Sequence, residues 1–275
     1  MAEGSRAQGS GIRDQEAEET IRPIPAQPLR AHAHHHVGVL PALQSLLYVL
    51  VISLFVMTFT MQPIRIPSAS MEPTLLVGDF LLMNKQAAAW EPAGAWSPLP
   101  PAGIKRGDII VFHDPVDDPS VHLVKRVIAL PGDRIHLRDG VVYINGAALK
   151  ESYTVHRRSP ADTFRDDFPN LNTMDAAVNT NWWIQLRHLV HEDEITVPPA
   201  SYFVMGDNRN NSEDSRYWGF VPQENIVGKP LLIYFSFRQP DSEDPQATGL
   251  TPADPARAHR RWDIARWRRI FRVVR

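Results

Sequence analysis

The sequence predicts a mainly β protein: an antiparallel β-sheet domain with a smaller inserted region, preceded by one N-terminal transmembrane helix. Three observations predict it. A charge-free apolar run extends from Val37 to Met61, and at about 1.5 Å per residue it is long enough for the roughly 30 Å hydrocarbon core of a bilayer. Beyond it, short apolar segments alternate with period two and are separated by Asp-Gly and Asn-Gly pairs, which favours hairpins over helices. Finally, the 275-residue chain carries 24 prolines, residues that favour loops, strand edges and extended segments.

Composition excludes some classes. The formal net charge is −2, so the whole molecule gives no argument for nucleic acid. There is no cysteine, which rules out disulfides, thiolate catalysis and Cys-based zinc sites and leaves the redox compartment undecided.

Residues 1–36 are too poor in large apolar side chains to offset chain entropy and are read as disordered. The cluster His32, His34, His35 and His36 could hold a transition metal, but without an acidic or thiol partner a polar linker is the preferred reading. The run 37–61 is read as a retained anchor. It is too long and starts too late for a cleaved secretory signal, and no small-x-small site precedes Pro63. Arg22 and Arg30 before it nearly balance Arg65 and Lys85 after it, so charge alone does not orient it.

Residues 62–150 read as the first part of the β domain. A loop from Ala87 to Gly103 carries Trp90 and Trp96, suited equally to a membrane interface or to a core. Ser120 to Ala129 reads as a strand with Val121, Leu123, Lys125, Val127 and Ala129 in one row. The pattern alone leaves open whether Lys125 is buried, since strand lysines commonly extend their amines to water. Asp139-Gly140 and Asn145-Gly146 predict turns between Asp133 and Leu149. Residues 151–199 form a polar, irregular insert. Residues 200–240 return to the sheet, with a buried strand at Tyr202–Met205 and a strand pair over Ile226–Phe237. Residues 241–275 are read as a linker and basic tail. Ile264, Trp267, Phe271 and Val274 fall on one helical face among many arginines, which predicts an amphipathic helix on anionic lipid.

One segment carries chemical interest. Ser68-Ala69-Ser70 lies between Pro67 and Pro73, so its backbone is restricted on both sides. Such stiffness suits a nucleophile and equally suits a plain turn. A serine nucleophile needs a base. No Gly-x-Ser-x-Gly elbow is present, and a guanidinium does not deprotonate in proteins. The lysines are Lys85, Lys105, Lys125, Lys150 and Lys229, and of these Lys125 stands in an apolar strand row. At its reference pKa of about 10.4 a lysine is neutral roughly once in 2,500 molecules at pH 7, a cost of about 4.6 kcal/mol, and burial can remove most of it.

Four segments, in order behind the apolar run, carry a resemblance: Ser68-Ala69-Ser70-Met71-Glu72-Pro73-Thr74-Leu75 with Gly78-Asp79; Arg106-Gly107-Asp108-Ile109-Ile110-Val111-Phe112; Lys125-Arg126-Val127-Ile128-Ala129-Leu130-Pro131-Gly132-Asp133; and Gly206-Asp207-Asn208-Arg209-Asn210-Asn211-Ser212-Glu213-Asp214-Ser215-Arg216-Tyr217-Trp218-Gly219. Together they resemble the boxes of bacterial type I signal peptidases. The resemblance implies that Ser70 is the nucleophile and Lys125 the general base and later acid. It implies an oxyanion hole from the Ser70 N–H and the Ser68 hydroxyl, a Ser212 that orients the lysine, and a supporting Asp214–Arg216 salt bridge. It further implies a serine endopeptidase that removes N-terminal signal peptides from exported preproteins after small-x-small sites. The enzyme would need no cofactor or metal, and would be a single-pass monomer of the bacterial cytoplasmic membrane with its catalytic domain outside. A self-cleaving repressor relative is disfavoured by the apolar run. A tethered β domain that binds without cutting is disfavoured by the presence of both Ser70 and Lys125, and a metal hydrolase by the lack of His-Glu-x-x-His.

Overall fold

The computed structural model describes residues 39–59, 61–85, 103–116, 118–157, 160, 162–173, 175–238 and 265–274. The expectations for residues 1–36, the histidine cluster, Trp90, Trp96 and the linker 241–264 lie outside the described residues. The chain divides into two units, Met1–Leu46 and Leu47–Arg275.

Helix α1 spans Val39–Phe59, 21 residues with no acidic residue in its first turn and no basic residue in its last. Its described side chains, Val39 to Phe55, are all exposed. Among the described residues no helix is long and apolar enough to cross a membrane, the described side chains stopping at Phe55.

The second unit continues with β1 (Met61–Arg65), β2 (Asp79–Asn84), β3 (Ile109–His113), β4 (His122–Ala129), β5 (Arg134–Arg138), β6 (Val141–Ile144) and β7 (Ala147–Ala148). Helices α2 (Thr163–Asp166) and α3 (Thr180–Leu189) follow, then β8 (Val190–His191), β9 (Glu194–Thr196) and β10 (Ser201–Met205). The short helix α4 (Ser215–Trp218) precedes β11 (Val221–Pro222), β12 (Ile226–Ser236) and β13 (Arg272–Val273). The larger sheet runs β1-β2-β12-β3-β4-β10-β11, with β13 added to β12, and the smaller runs β7-β6-β5-β9-β8. Adjacent strands in both are antiparallel, as the alternation predicts.

The hairpins follow their turn chemistry. Asp139, Gly140, Asn145 and Gly146 all take positive φ, the backbone twist that two-residue turns between antiparallel strands require. The β8–β9 turn uses Glu192 and Asp193, also at positive φ, and carries no comparable sequence signature.

Three expectations change. The insert 151–199 contributes helices and buried residues to one core cluster. Asn179 caps α3 by accepting from Asn181 N and Trp182 N, and Trp182, Leu186, Phe164, Phe168 and Ile195 pack with Ile128, Ile135, Leu137 and Phe203 in one buried cluster. The strand pair expected over Ile226–Phe237 is a single 11-residue strand, β12, whose register shifts twice against β2. Among the described tail residues, 265–274, there is no amphipathic helix. Residues 267–269 make one 3-10 turn and Arg272–Val273 pair with β12, because β12 offers an open backbone edge there. Two arginines of the expected helix have a buried carboxylate to satisfy.

Candidate active site

Ser70 sits in a 3-10 turn, Ala69–Met71, entered from an extended Ser68 and closed by the Glu72 N–H donating to Ala69 O at 3.1 Å. Pro67 and Pro73 flank it, as the stiffness argument requires. Ser70 is 7 % exposed, and its Oγ lies 3.3 Å from Ser68 Oγ. The turn is held from the other side by Asn208, whose backbone N–H donates to Ser70 O at 3.0 Å and whose Nδ2 donates to Ala69 O at 3.2 Å.

Lys125 lies on β4, which packs against this turn. Paired with β3 through Ile110, and with β10 alongside β4, the lysine is only 5 % exposed. Burial brings its pKa down to about 8; Asp214 and Glu213 work against the shift, and Arg216 adds to it. At pH 7 about one molecule in ten would carry the neutral amine, leaving a cost of only about 1.4 kcal/mol.

The loop from Gly206 to Asp214 supplies the remaining groups. Ser212 Oγ–H donates to Asp214 Oδ2 at 2.8 Å. The fully buried Asp214 pairs with Arg216 through Nε–Oδ1 and Nη2–Oδ2, each 2.8 Å, and accepts from Gly206 N at 3.1 Å. Burial would raise the Asp214 carboxyl, but Arg216, Lys125 and the Gly206 N–H hold it below the usual carboxylate range. Arg216 also donates to Arg209 O and Arg165 O. Gly206 permits the close approach: a Cβ there would stand 2.4 Å from Ser212 Oγ and 2.5 Å from Ser70 O.

All six residues singled out from sequence therefore lie on segments that meet: Ser68 and Ser70 on the turn, Lys125 on the strand behind it, Ser212 and Asp214 on the loop, and Arg216 on α4, which follows it. Sequence reasoning gave no role to Asn208, to Gly206 or to a second buried pair. Arg126, the neighbour of Lys125, binds Asp207 in bidentate fashion at 2.8 and 2.7 Å and lies over the Tyr153 ring. Thr74 Oγ1 donates to the same carboxylate at 2.5 Å. Their one legible signal was membership of the same four segments. Among the described residues no three histidines or carboxylates are grouped to hold a metal ion.

The chain is similar to proteins already known. A solved signal peptidase I from Enterococcus faecalis is 36 % identical, with 46 % of this chain covering 96 % of that one at a TM-score of 0.33. Signal peptidase I of Pseudomonas aeruginosa is 35 % identical over 205 residues, 70 % of this chain and 71 % of that protein. Signal peptidase I of Aquifex aeolicus is 35 % identical over 231 residues, 72 % of this chain and 85 % of that protein. The family model described as signal peptidase, peptidase S26, matches residues 40–235. With that match covering residues 40–235 and every segment of the site, the chain belongs to the type I signal peptidases, peptidase S26.

Proposed function

We propose that this protein is a membrane-anchored Ser/Lys endopeptidase that cleaves N-terminal signal peptides from exported preproteins after small-x-small sites. The observation that carries the dyad is a lysine buried to 5 % exposure on the strand behind the Ser70 turn, with its pKa lowered to about 8. Ser70 Oγ attacks the scissile carbonyl while its proton passes to the neutral Lys125 Nζ. The Ser70 N–H and the Ser68 hydroxyl receive the oxyanion. Lys125 then protonates the leaving amine, and later takes a proton from the water that hydrolyses the acyl-enzyme. Ser212, fixed by Asp214, orients the ammonium. Asp214 and Arg216 shape the loop without entering the reaction.

Anchoring is supported by the charge-free apolar run 37–61, whose length at about 1.5 Å per residue matches the hydrocarbon core of a bilayer. Ser70 lies nine positions after Met61, so an extended chain places it within about 30 Å of the bilayer. A cleavage site just past a membrane-inserted apolar segment falls in that zone. The N-terminus is assigned to the cytoplasm, the catalytic unit to the outer side, and the preprotein is the expected partner of a monomer.

Cleavage of a preprotein carrying an Ala-x-Ala site, followed in detergent across pH, tests the dyad. Wild type should cleave, with kcat/KM rising through about pH 8, while Ser70→Ala and Lys125→Arg remain inactive. Activity surviving in Lys125→Arg would remove the lysine from its role as base.

A further inference from the structure

Asp79 is completely buried. A carboxylate withdrawn wholly from water must be paired and hydrogen-bonded on all sides. Leu76 N–H donates to Oδ2 at 2.9 Å and Ser236 Oγ–H to Oδ1 at 2.6 Å. The counter-charge comes from 190 positions away: Arg269 Nε reaches Oδ1 at 3.0 Å, its Nη2 grips Oδ2, and Arg266 Nη1 stands 4.0 Å off. The same guanidinium Nη2 donates to Thr74 O at 2.9 Å, and Arg266 Nη1 donates to Val77 O at 2.8 Å. One planar fork thus serves Asp79 and the backbone of the loop leading to it, which a lysine cannot do.

Backbone pairing delivers these arginines. β13 pairs with β12 at Leu232 and Ile233, on the edge opposite β2. Arg266 N–H donates to Ser236 O at 2.9 Å, Phe271 N–H to Ile233 O at 2.7 Å and Val274 N–H to Leu231 O at 2.9 Å. The far end of the network is the reactive centre. Thr74, whose carbonyl Arg269 holds, donates its hydroxyl to Asp207 at 2.5 Å. Asp207 is clamped by Arg126, next in sequence to Lys125. Met71, beside Ser70, accepts from Leu75 N at 2.9 Å.

We propose that the segment 265–274 belongs to the catalytic apparatus, with Arg269 as a positioning residue that fixes Thr74 and through it the nucleophile turn and the lysine strand. The inference rests on the Ser70–Lys125 reading above. Its test uses the full chain in detergent and measures preprotein cleavage for wild type, Arg269→Met, Arg269→Lys and Ser70→Ala, each normalised to the folded fraction by near-ultraviolet circular dichroism at the assay temperature. Arg269→Met should lose roughly 10–100-fold in kcat per folded molecule, the scale of a misplacement of about 1 Å remote from the chemistry. KM should stay within about threefold, and added methylguanidinium should return part of the rate, whereas Arg269→Lys, lacking the planar fork, should not. Thr74→Val, which leaves the Arg269–Asp79 pair in place, should lower kcat in the same way, so the proposal is testable even where Arg269→Met folds poorly. A kcat per folded molecule within twofold of wild type in Arg269→Met or in Thr74→Val overturns it. Activity in Ser70→Ala would instead overturn the underlying dyad.

Discussion

Lys125 is a buried amine whose charged form costs the fold stability. Its pKa is about 8 in the folded protein against 10.5 ordinarily. Between those values the unfolded chain binds the extra proton, so the contribution of this group makes stability rise with pH from about 8 to about 10.5. Below that window the native state bears the whole penalty, about 3 kcal/mol. Lys125→Met should therefore be the more stable protein at pH 7 by an amount of that order, with the difference closing by about pH 10.5, as read from urea unfolding at several pH values. An equal or larger wild-type stability at pH 7 would mean that the ammonium is better solvated than its burial indicates. Residues of this kind were half legible: the apolar row named Lys125, but its burial depends on β10 and the 206–214 loop, which come together only in the fold. Arg126, Asp207 and Thr74 were not legible as a unit, since the ion pair joins positions 81 apart.

At the scale of elements, local chemistry was legible where glycine and asparagine mark it and hidden where packing decides. The Asp139-Gly140 and Asn145-Gly146 turns could be named in advance. The Glu192-Asp193 turn could not, because its positive φ values are imposed by the strands on either side. Helix α3 was missed for a related reason: within a polar insert only Trp182 and Leu186 of its ten residues are buried. Those two nevertheless join the core shared by both sheets. Leu186→Ala should accordingly cost about 2–5 kcal/mol in thermal or chemical unfolding while leaving kcat per folded molecule nearly unchanged, since Leu186 makes none of the site's hydrogen bonds. The tail failed in the opposite direction. Its helical periodicity is real as a pattern, yet strand pairing with β12 and two arginine contacts to Asp79 outweigh it.

For the whole molecule, the order of apolar run and β domain was the most legible feature, because composition alone separates a charge-free stretch from alternating strands. If α1 is the anchor, the wild-type protein should remain in the pellet after alkaline carbonate extraction of membranes. Val49→Asp with Ile52→Asp should move it to the supernatant, each acidic residue costing about 2.5–3.5 kcal/mol at the centre of a span. Retention of the double variant in the pellet would assign the attachment to another surface.

The place of β13 also has a consequence in time. Residues 265–274 are synthesised after every strand they complete, so Asp79 and the loop behind Ser70 lack their arginine partner until this segment has left the ribosome. On the Ser70–Lys125 reading proposed above, a chain not yet joined by this segment would hold both side chains without their final alignment. Activity would begin as a late event in its own biosynthesis, after the sheet had formed.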